Sequence, residues 1–295
     1  TIDSGATITN SGTATGFGTA LTGSTNNQVT TVTGADAIQG ETNFIYDGTI
    51  VGAGADGANA DLGVGLHIKT SDSGATAASG SDEFVIENGN SGVGVGMVIL
   101  SATDGYGRIY FGDSGDNDIG QIMYDHTDDG MKFKTNATAT SLIIDSTGAV
   151  TKPLQPAFCV KNALMSNLAI TTTHTVTFSS EIFDQNADFD TTTYTFTAPV
   201  TGRYQLSCTL KIDDIDLDSD YHGGAIACSN RSIVVMSCKT PLIFNEDSNY
   251  HAWSSSALVD MDANDTAYVT FRQNAGDVMA DINANESLFS GFLAC

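Results

Sequence analysis

The stretch that decides the fold is residues 189–204, which read FDTTTYTFTAPVTGRY. Apolar and polar residues alternate here, so Tyr194 and Phe196 fall on one face of a strand and the threonines between and after them on the other. Pro199 and Gly202 interrupt the run, as residues in tight turns do. The pattern predicts a strand, a tight turn and a second strand.

Alternation continues in three later stretches, 203–212, 253–261 and 267–271. In each stretch one set of residues is apolar and the other is polar, which is typical of strands with one buried and one solvated face. No amphipathic helical period occurs in the chain, and we therefore predict an all-β fold. The residues expected on the buried faces are Tyr204, Leu206, Cys208, Leu210, Ile212, Trp253, Ser255, Ala257, Val259, Met261, Ala267, Val269 and Phe271.

The charge balance excludes several classes of partner. The 295 residues include 11 basic and 35 acidic side chains, for a formal net charge of -24. Such a surface repels phosphate backbones and anionic lipid, so neither nucleic acid nor a membrane surface is an expected partner. No apolar run approaches the roughly 20 residues of a membrane helix, and we expect no membrane insertion.

Composition divides the chain into four segments. Residues 1–70 are rich in Gly, Thr and Ser with sparse apolar residues, which predicts a fibrous β shaft whose core several chains share. Residues 71–150 predict a β-meander shaft or collar, with short strands roughly every 10 to 13 residues between Asn/Asp/Gly turns. Residues 151–156 form a linker with two prolines, and residues 157–295 a separate knob. The meander strands are predicted at 84–86, 97–100, 108–111, 121–124, 131–133 and 142–144.

Three pieces of the knob resemble the C1q/TNF-like jelly roll. They are the opening 156–158 (PAF), the central block 189–204, and the closing 288–293 (LFSGFL). The resemblance implies a jelly-roll β-sandwich whose first and last strands are neighbours in one sheet. It also implies a homotrimer.

A second resemblance lies in the meander. The segments 107–113 (GRIYFGD), 119–126 (IGQIMYDH) and 131–136 (MKFKTN) are similar to a repeat of tail fibres and other virion proteins of marine bacteriophages. This resemblance implies a place on the virion surface and contacts with other virion proteins through an anchor N-terminal to Thr1. Residues 144–149 also echo residues 2–6, and we expect further shaft before Thr1.

The two resemblances together predict an elongated trimeric fibre whose knob attaches to a host surface glycan or protein. A cellular adhesin with a C1q-like tip is a further alternative, against which the meander repeat argues. Two alternatives within the virion stay open at this point. One is a capsid or head decoration fibre, or a collar, in which the knob mainly trimerises. The other is a glycan-cleaving tailspike.

Five cysteines, all in the knob, form no Cys-x-x-Cys pair, and their odd number excludes a fully paired monomer. Their apolar surroundings favour buried free thiols. The jelly-roll resemblance would bring Cys159 and Cys295 near each other on neighbouring strands.

An acidic loop is the candidate metal site; Asp113, Asp116 and Asp118 of the meander are better explained as turn residues. Residues 213–222 contain Asp214, Asp216, Asp218 and Asp220, whose carboxylates could bind Ca²⁺. The Gly and Glu positions of an EF-hand loop are missing, although C1q-like modules sometimes bind calcium. The alternative is a solvated acidic run with no cofactor.

No catalytic residues are predicted. The five histidines are scattered, and Gly-x-Ser-x-Gly and His-Glu-x-x-His patterns do not occur, so we expect no enzyme activity. Tyr221, His222, Tyr250 and His251 flank predicted loops of the knob, where aromatic and His side chains can contact a receptor. The alternative is that Tyr250 simply begins a strand and packs inward.

Overall fold

The computed structural model describes residues 28–34, 37–46, 49–54, 65–137, 139–239 and 248–295. The chain divides into two compact units, Thr1–Ile99 and Leu100–Cys295. The segment boundaries predicted at residues 70, 150 and 156 do not coincide with this division and stay predictions. Among the described residues, no helix has the length and apolar character needed to span a membrane. The all-β prediction is confirmed across these ranges.

The first unit contains one sheet of five strands in the order β1-β2-β3-β4-β5. β1, β2 and β3 pair antiparallel, whereas β3 with β4 and β4 with β5 pair parallel. The strands β4 and β5 bury three polar side chains, those of His67, Lys69 and Glu87. The bounds are Gln28–Gly34, Ala37–Tyr46, Val51–Ala53, Leu66–Lys69 and Phe84–Glu87.

The second unit begins with an antiparallel meander in the order β10-β9-β8-β7-β6, so β6 lies at an edge. Aspartates shape its turns: the carboxylate of Asp113 accepts the backbone N–H groups of Gly115 and Asp116, and that of Asp145 accepts the N–H of Thr147. This is the local bonding for which Asp is favoured in turns. The bounds are Tyr106–Phe111, Gly120–Asp125, Gly130–Thr135, Ala139–Ile144 and Val150–Thr151.

Five of the six strands predicted in residues 84–144 are present, and one is not. Residues 97–100 were expected to form a strand because four apolar residues follow one another, yet they pair with no other strand. A run of β-forming residues becomes a strand only when a second strand offers hydrogen bonds.

The knob is a sandwich of two sheets. One sheet has the order β13-β11-β21-β16-β19, and the other has the order β14-β15-β20-β17-β18 with β12 on β20. β11 and β21 are neighbours, as predicted for the first and last strands of the jelly roll. The bounds of β11 to β21 are Ala157–Lys161, Thr173–Thr175, Ser180–Asp184, Phe189–Asp190, Thr195–Thr197, Gly202–Ile215, Tyr221–Cys228, Ser232–Cys238, Ser248–Met261, Thr266–Asn274 and Leu288–Leu293.

The stretch 189–204 supplies the centre of the knob core. Phe189 and Phe196 pair across the β14–β15 hairpin, and both rings stack on Phe158 of β11, with centroids 5.2 and 4.7 Å away. Tyr204 is fully buried at the start of β16, and its hydroxyl donates a hydrogen bond to the Val200 carbonyl at 2.8 Å.

The predicted turn between Phe196 and Tyr204 and the strands on either side of it are confirmed. Tyr194 was expected in the first strand with Phe196, but it lies in the β14–β15 turn with φ 60° and is half-buried, so only Phe189, Phe196 and Tyr204 enter the core.

The five cysteines are free thiols. Cys208 and Cys238 are buried, Cys159 and Cys228 are half-buried, and Cys295 is exposed. Cys159 lies opposite Ser290 on β21, and Cys295 follows the end of that strand. The neighbouring strands are as expected, and these two thiols are not bonded to each other.

Candidate functional site

One end of the sandwich carries most of the residues predicted to bind. β16 ends at Ile215, and residues 216–220 lead into β17, which begins at Tyr221. β19 begins beside the end of β16, because Tyr250 pairs with Asp213. The fold therefore brings the acidic loop and the predicted receptor-binding residues to the same end of the knob. These residues are Tyr221, His222, Tyr250 and His251.

Asp216 is buried in this loop and is surrounded by hydrogen-bond donors. Its Oδ1 atom accepts the backbone N–H of Asp218 at 2.8 Å. Its Oδ2 atom accepts the backbone N–H groups of Asp277 at 2.7 Å and Val278 at 2.9 Å, and the side-chain amide of Gln273 at 3.3 Å. A buried carboxylate with several N–H donors is a stable structural anchor. Asp216 therefore ties the loop after β16 to the loop after β20.

The four predicted calcium ligands do not form one cluster. Carboxylate atoms of Asp216, Asp218 and Asp277 lie within 4.8 Å of one another, and neither Asp214 nor Asp220 belongs to this group. Calcium takes six to eight oxygen ligands with free lone pairs. Because Asp214 and Asp220 lie outside this group and N–H donors already bind both oxygens of Asp216, the four predicted ligands do not form the predicted site.

His222 is not available to a receptor, contrary to the prediction. It is 0% exposed, stacks near Phe271 with ring centroids 6.2 Å apart, and lies 3.2 Å from the Ser219 hydroxyl through Nδ1. Burial lowers the pKa of its imidazole, while the charge of Asp216 acts in the opposite direction. The prediction failed because His222 takes the inward position of β17, next to the half-buried Tyr221.

Tyr250 lies on the surface in a mixed aromatic and charged patch. It is 64% exposed, and the Lys211 Nζ atom lies 4.7 Å from its ring centroid. Lys211 also donates to Glu286 at 2.6 Å and lies 4.0 Å from Asp213. The hydrogen bond to Glu286 raises the pKa of Lys211, and burial raises the pKa of Asp213. We call these four residues the Tyr250 patch.

The Tyr250 patch contains two residues that the sequence did not indicate as binding residues. Lys211 was predicted only as part of the solvated face of β16, and Glu286 lies 75 residues further along the chain. No local pattern links them. His251 is exposed beside this patch, and its ring lies 4.3 Å from that of Trp253.

A second surface feature is the outer face of the sheet β13-β11-β21-β16-β19. Strand register places Ala157, Phe292, Gln205 and Leu258 in one row across four strands. The adjacent row contains Phe183, Cys159, Ser290, Ser207 and Ser256. Phe183, Phe292 and Leu258 are about half exposed, and neither row contains a carboxylate. We call these two rows the outer sheet face.

Several solved structures are similar to about half of this chain. The globular domain of zebrafish complement 1qA is 22% identical, with a TM-score of 0.35, and the match covers 48% of this chain and 98% of that one. Murine APRIL at pH 8.0 is 11% identical, with a TM-score of 0.35 and coverage of 47% and 98%. The Eiger TNF of S. frugiperda is 14% identical, with a TM-score of 0.35 and coverage of 48% and 93%. No curated protein sequence matches the chain.

The family comparison agrees with the fold. The model of the C1q domain matches residues 157–294. These residues span β11 to β21, the two-sheet sandwich described above. Residues 157–294 are thus similar to the C1q domain, and their fold is a two-sheet jelly-roll sandwich.

Proposed function

We propose that this chain is a virion fibre protein of a bacteriophage, and that its C1q domain forms a homotrimeric knob that attaches the particle to a host cell surface. The observation that carries the proposal is the outer sheet face of the C1q domain, which contains no charged side chain and leaves Phe183, Phe292 and Leu258 about half exposed in a single chain. The similarity of residues 107–136 to marine phage fibre repeats supports the location on a virion.

The outer sheet face supports association with further copies. An exposed face with Phe183, Phe292 and Leu258 loses water contact favourably when a second surface covers it. In a chain with a net charge of -24, a surface without carboxylates is also where like copies approach with least repulsion. C1q/TNF-like domains commonly trimerise, and this face is the one we assign to the contact.

The meander sheet supports the same assembly. Its edge strand β6 exposes Tyr106, Ile109, Tyr110 and Phe111 to solvent. A single sheet with apolar residues exposed at its edge is stabilised when neighbouring copies share them as a core. Three chains joined in this way would form the shaft beneath the knob.

Attachment is favoured over catalysis by the character of the knob surface. The Tyr250 patch offers an exposed ring, an ammonium group and carboxylates, which can stack on and hydrogen-bond to a sugar or a protein loop. Three copies on one knob would present three such patches. Weak binding at each patch then becomes firm attachment through multivalency.

The assembly is tested by light scattering on the purified full chain. We expect a mass near three times 30.7 kDa. Phe292→Asp would place a charge in the contact and shift the mass towards one chain at low micromolar concentration. Leu164→Asp, at an exposed loop position of the same domain, is the control and should leave the mass unchanged. A native chain that stays monomeric would overturn the proposal.

The attachment is tested with the labelled native chain on intact marine bacteria and on an array of bacterial surface glycans. We expect saturable binding to a restricted set of cells. A trimer that binds no cell and no glycan would overturn the attachment role and favour a decoration or collar fibre. Release of soluble oligosaccharide from the array would instead favour a glycan-cleaving spike.

A further inference from the structure

The most apolar uninterrupted run of the chain is fully exposed. Residues 94–100 read GVGMVIL, and we call them the apolar segment. Val98 is 78% exposed and Leu100 is 86% exposed, and Met97 and Ile99 are also exposed. Both faces of the segment are therefore open to solvent, which is unfavourable for consecutive large apolar side chains.

The backbone of the apolar segment is also unpaired. Within the described part of the chain, none of its N–H or C=O groups takes part in a hydrogen bond. The chain lies in no strand from residue 88 to residue 105. Its composition, with β-branched residues and no proline, is that of a strand. The segment is thus equipped for β pairing and has no partner strand.

A matching surface occurs on β6. This strand pairs with β7 on one side only, so its other backbone edge is unpaired within the sheet. Ile109 and Phe111 are exposed on one of its faces. On the other face the guanidinium of Arg108 lies 4.2 Å from the ring centroid of Tyr106. An open edge with apolar side chains is a template for the addition of another strand.

We propose that the apolar segment of one copy adds as a β-strand to the β6 edge of a second copy of this chain. Each copy carries both halves of the contact, so every copy can donate one strand and accept another. Such a head-to-tail contact closes into a ring when the rotation between copies permits it. The inference deepens the proposed trimer and rests on it, because it adds a contact between copies outside the C1q domain.

Charge supports a second copy as the occupant. Residues 88–103 contain no charged side chain, although the chain as a whole has a net charge of -24. A copy approaching this stretch therefore meets little of the repulsion that its surface creates elsewhere. β6 contributes only the positive charge of Arg108.

Hydrogen exchange on the native full chain tests the pairing without a substitution. If the apolar segment is paired, its amides should exchange at least about 100-fold more slowly than unstructured peptide amides, and we expect the same of the amides of β7, which pairs on both sides. Exchange at the unstructured rate in a protein of trimeric mass would overturn this inference and leave the proposed function standing. A monomeric mass would overturn both.

Cysteine cross-linking identifies the partner strand. Copies with Met97→Cys, Val98→Cys, Ile99→Cys or Leu100→Cys are each co-expressed with a copy carrying Ile109→Cys, and all copies carry Cys295→Ser to remove the exposed native thiol. Opposed residues on paired strands lie within disulfide range, so at least one combination should form a reductant-sensitive dimer of the two different copies.

The matched control replaces Ile109→Cys by Ser146→Cys, an exposed turn position between β9 and β10, and should give no dimer. Dimers with the control as abundant as those with Ile109→Cys would overturn the inference. Protected amides without any cross-link to β6 would also overturn it, because the segment would then pair with a different strand, including one of its own chain.

Discussion

The Oδ2 atom of Asp216 accepts the backbone N–H of Asp277 at 2.7 Å, across 61 residues of sequence. The contact requires the backbone to come close, since Gly276 has φ +99° and an added Cβ there would lie 2.0 Å from the same oxygen. Asp216 is 1% exposed, so its charge is stabilised by these donors rather than by water. The end of the knob that carries the Tyr250 patch is held together by this carboxylate.

Asp216→Asn should therefore destabilise the knob by about 3 kcal/mol, because the amide turns a donor towards N–H groups that need an acceptor. The free energy of unfolding in urea, followed by the fluorescence of Trp253, measures the change. Asp218→Asn is the matched control, since its side chain is exposed, and should change stability by less than about 0.5 kcal/mol. Equal effects of the two substitutions would contradict the anchoring role.

Calcium removal should leave the knob unchanged. N–H donors bind both oxygens of Asp216, and Asp214 and Asp220 lie outside its group of carboxylates. We expect the thermal midpoint and the light-scattering mass to be the same with a calcium chelator as with added calcium. A midpoint that falls by several degrees on chelation, and recovers with calcium, would show that the loop binds the ion after all.

Tyr250→Ala should weaken attachment at each site about tenfold, the effect of losing an exposed aromatic contact of about 1.4 kcal/mol. Binding of the labelled trimer to a cell or glycan identified as a ligand measures it, with Leu164→Ala as a control of similar exposure. Loss of affinity with an unchanged trimer mass separates a binding role from an assembly role. Unchanged affinity for Tyr250→Ala would remove the Tyr250 patch as the attachment site.

The sequence predicts the buried faces well because side-chain alternation is a local property. Tyr204, Leu206 and Cys208 are buried, whereas Gln205 and Ser207 between them face outward. The neighbouring first and last strands followed from the resemblance to the C1q/TNF-like fold. The buried faces were predictable because alternation is visible within a few residues. The neighbouring strands were predictable because the family has a known order of strands.

The candidate site was less predictable because it depends on long-range contacts. Four aspartates at alternate positions suggested one metal site, yet Asp216 turns inward to donors near residue 277 and leaves the others outside. Lys211 and Glu286 meet only because β16 and the loop before β21 lie side by side. Residues 97–100 show the same limit, since a strand needs a partner that sequence alone does not supply.

The buried His222 should make the knob sensitive to mild acid. Burial holds the pKa of its imidazole below the ordinary value of 6.5, so below that pH the unfolded chain takes up a proton that the folded knob does not. Its contribution to stability is complete above pH 6.5 and is lost as the pH falls through the folded-state pKa. His222→Phe should flatten the dependence of the thermal midpoint on pH between 6.5 and 5.

The control for this dependence is His174→Phe, in the same domain, where the ring is half-buried and bonded to the Ala169 carbonyl. That variant should keep the slope of the native chain. A His222→Phe variant with an unchanged slope would show that His222 does not control the response to acid.

The first unit should lose stability only at much lower pH, through Glu87. Burial raises the pKa of this carboxyl, but the backbone N–H and hydroxyl of Ser73, at 2.6 and 2.8 Å, together with Lys69 and His67, lower it to about 2. The folded-state pKa lies below the unfolded value of 4.5, so the stabilisation is present above pH 4.5 and disappears as the pH falls towards 2.

Ser73→Ala removes one of these donors, and should destabilise the sheet of the first unit by about 1 kcal/mol at neutral pH and move the acid transition upward. Hydrogen exchange of the β4 and β5 amides, corrected for the intrinsic effect of pH, measures both changes. Ser81→Ala, an exposed serine bonded only to the Ala78 carbonyl at 3.4 Å, is the control. If the two variants have the same acid transition, the Ser73 hydroxyl does not stabilise the Glu87 carboxylate, and the backbone N–H of Ser73 with Lys69 and the hydrogen bond from His67 must account for its low pKa.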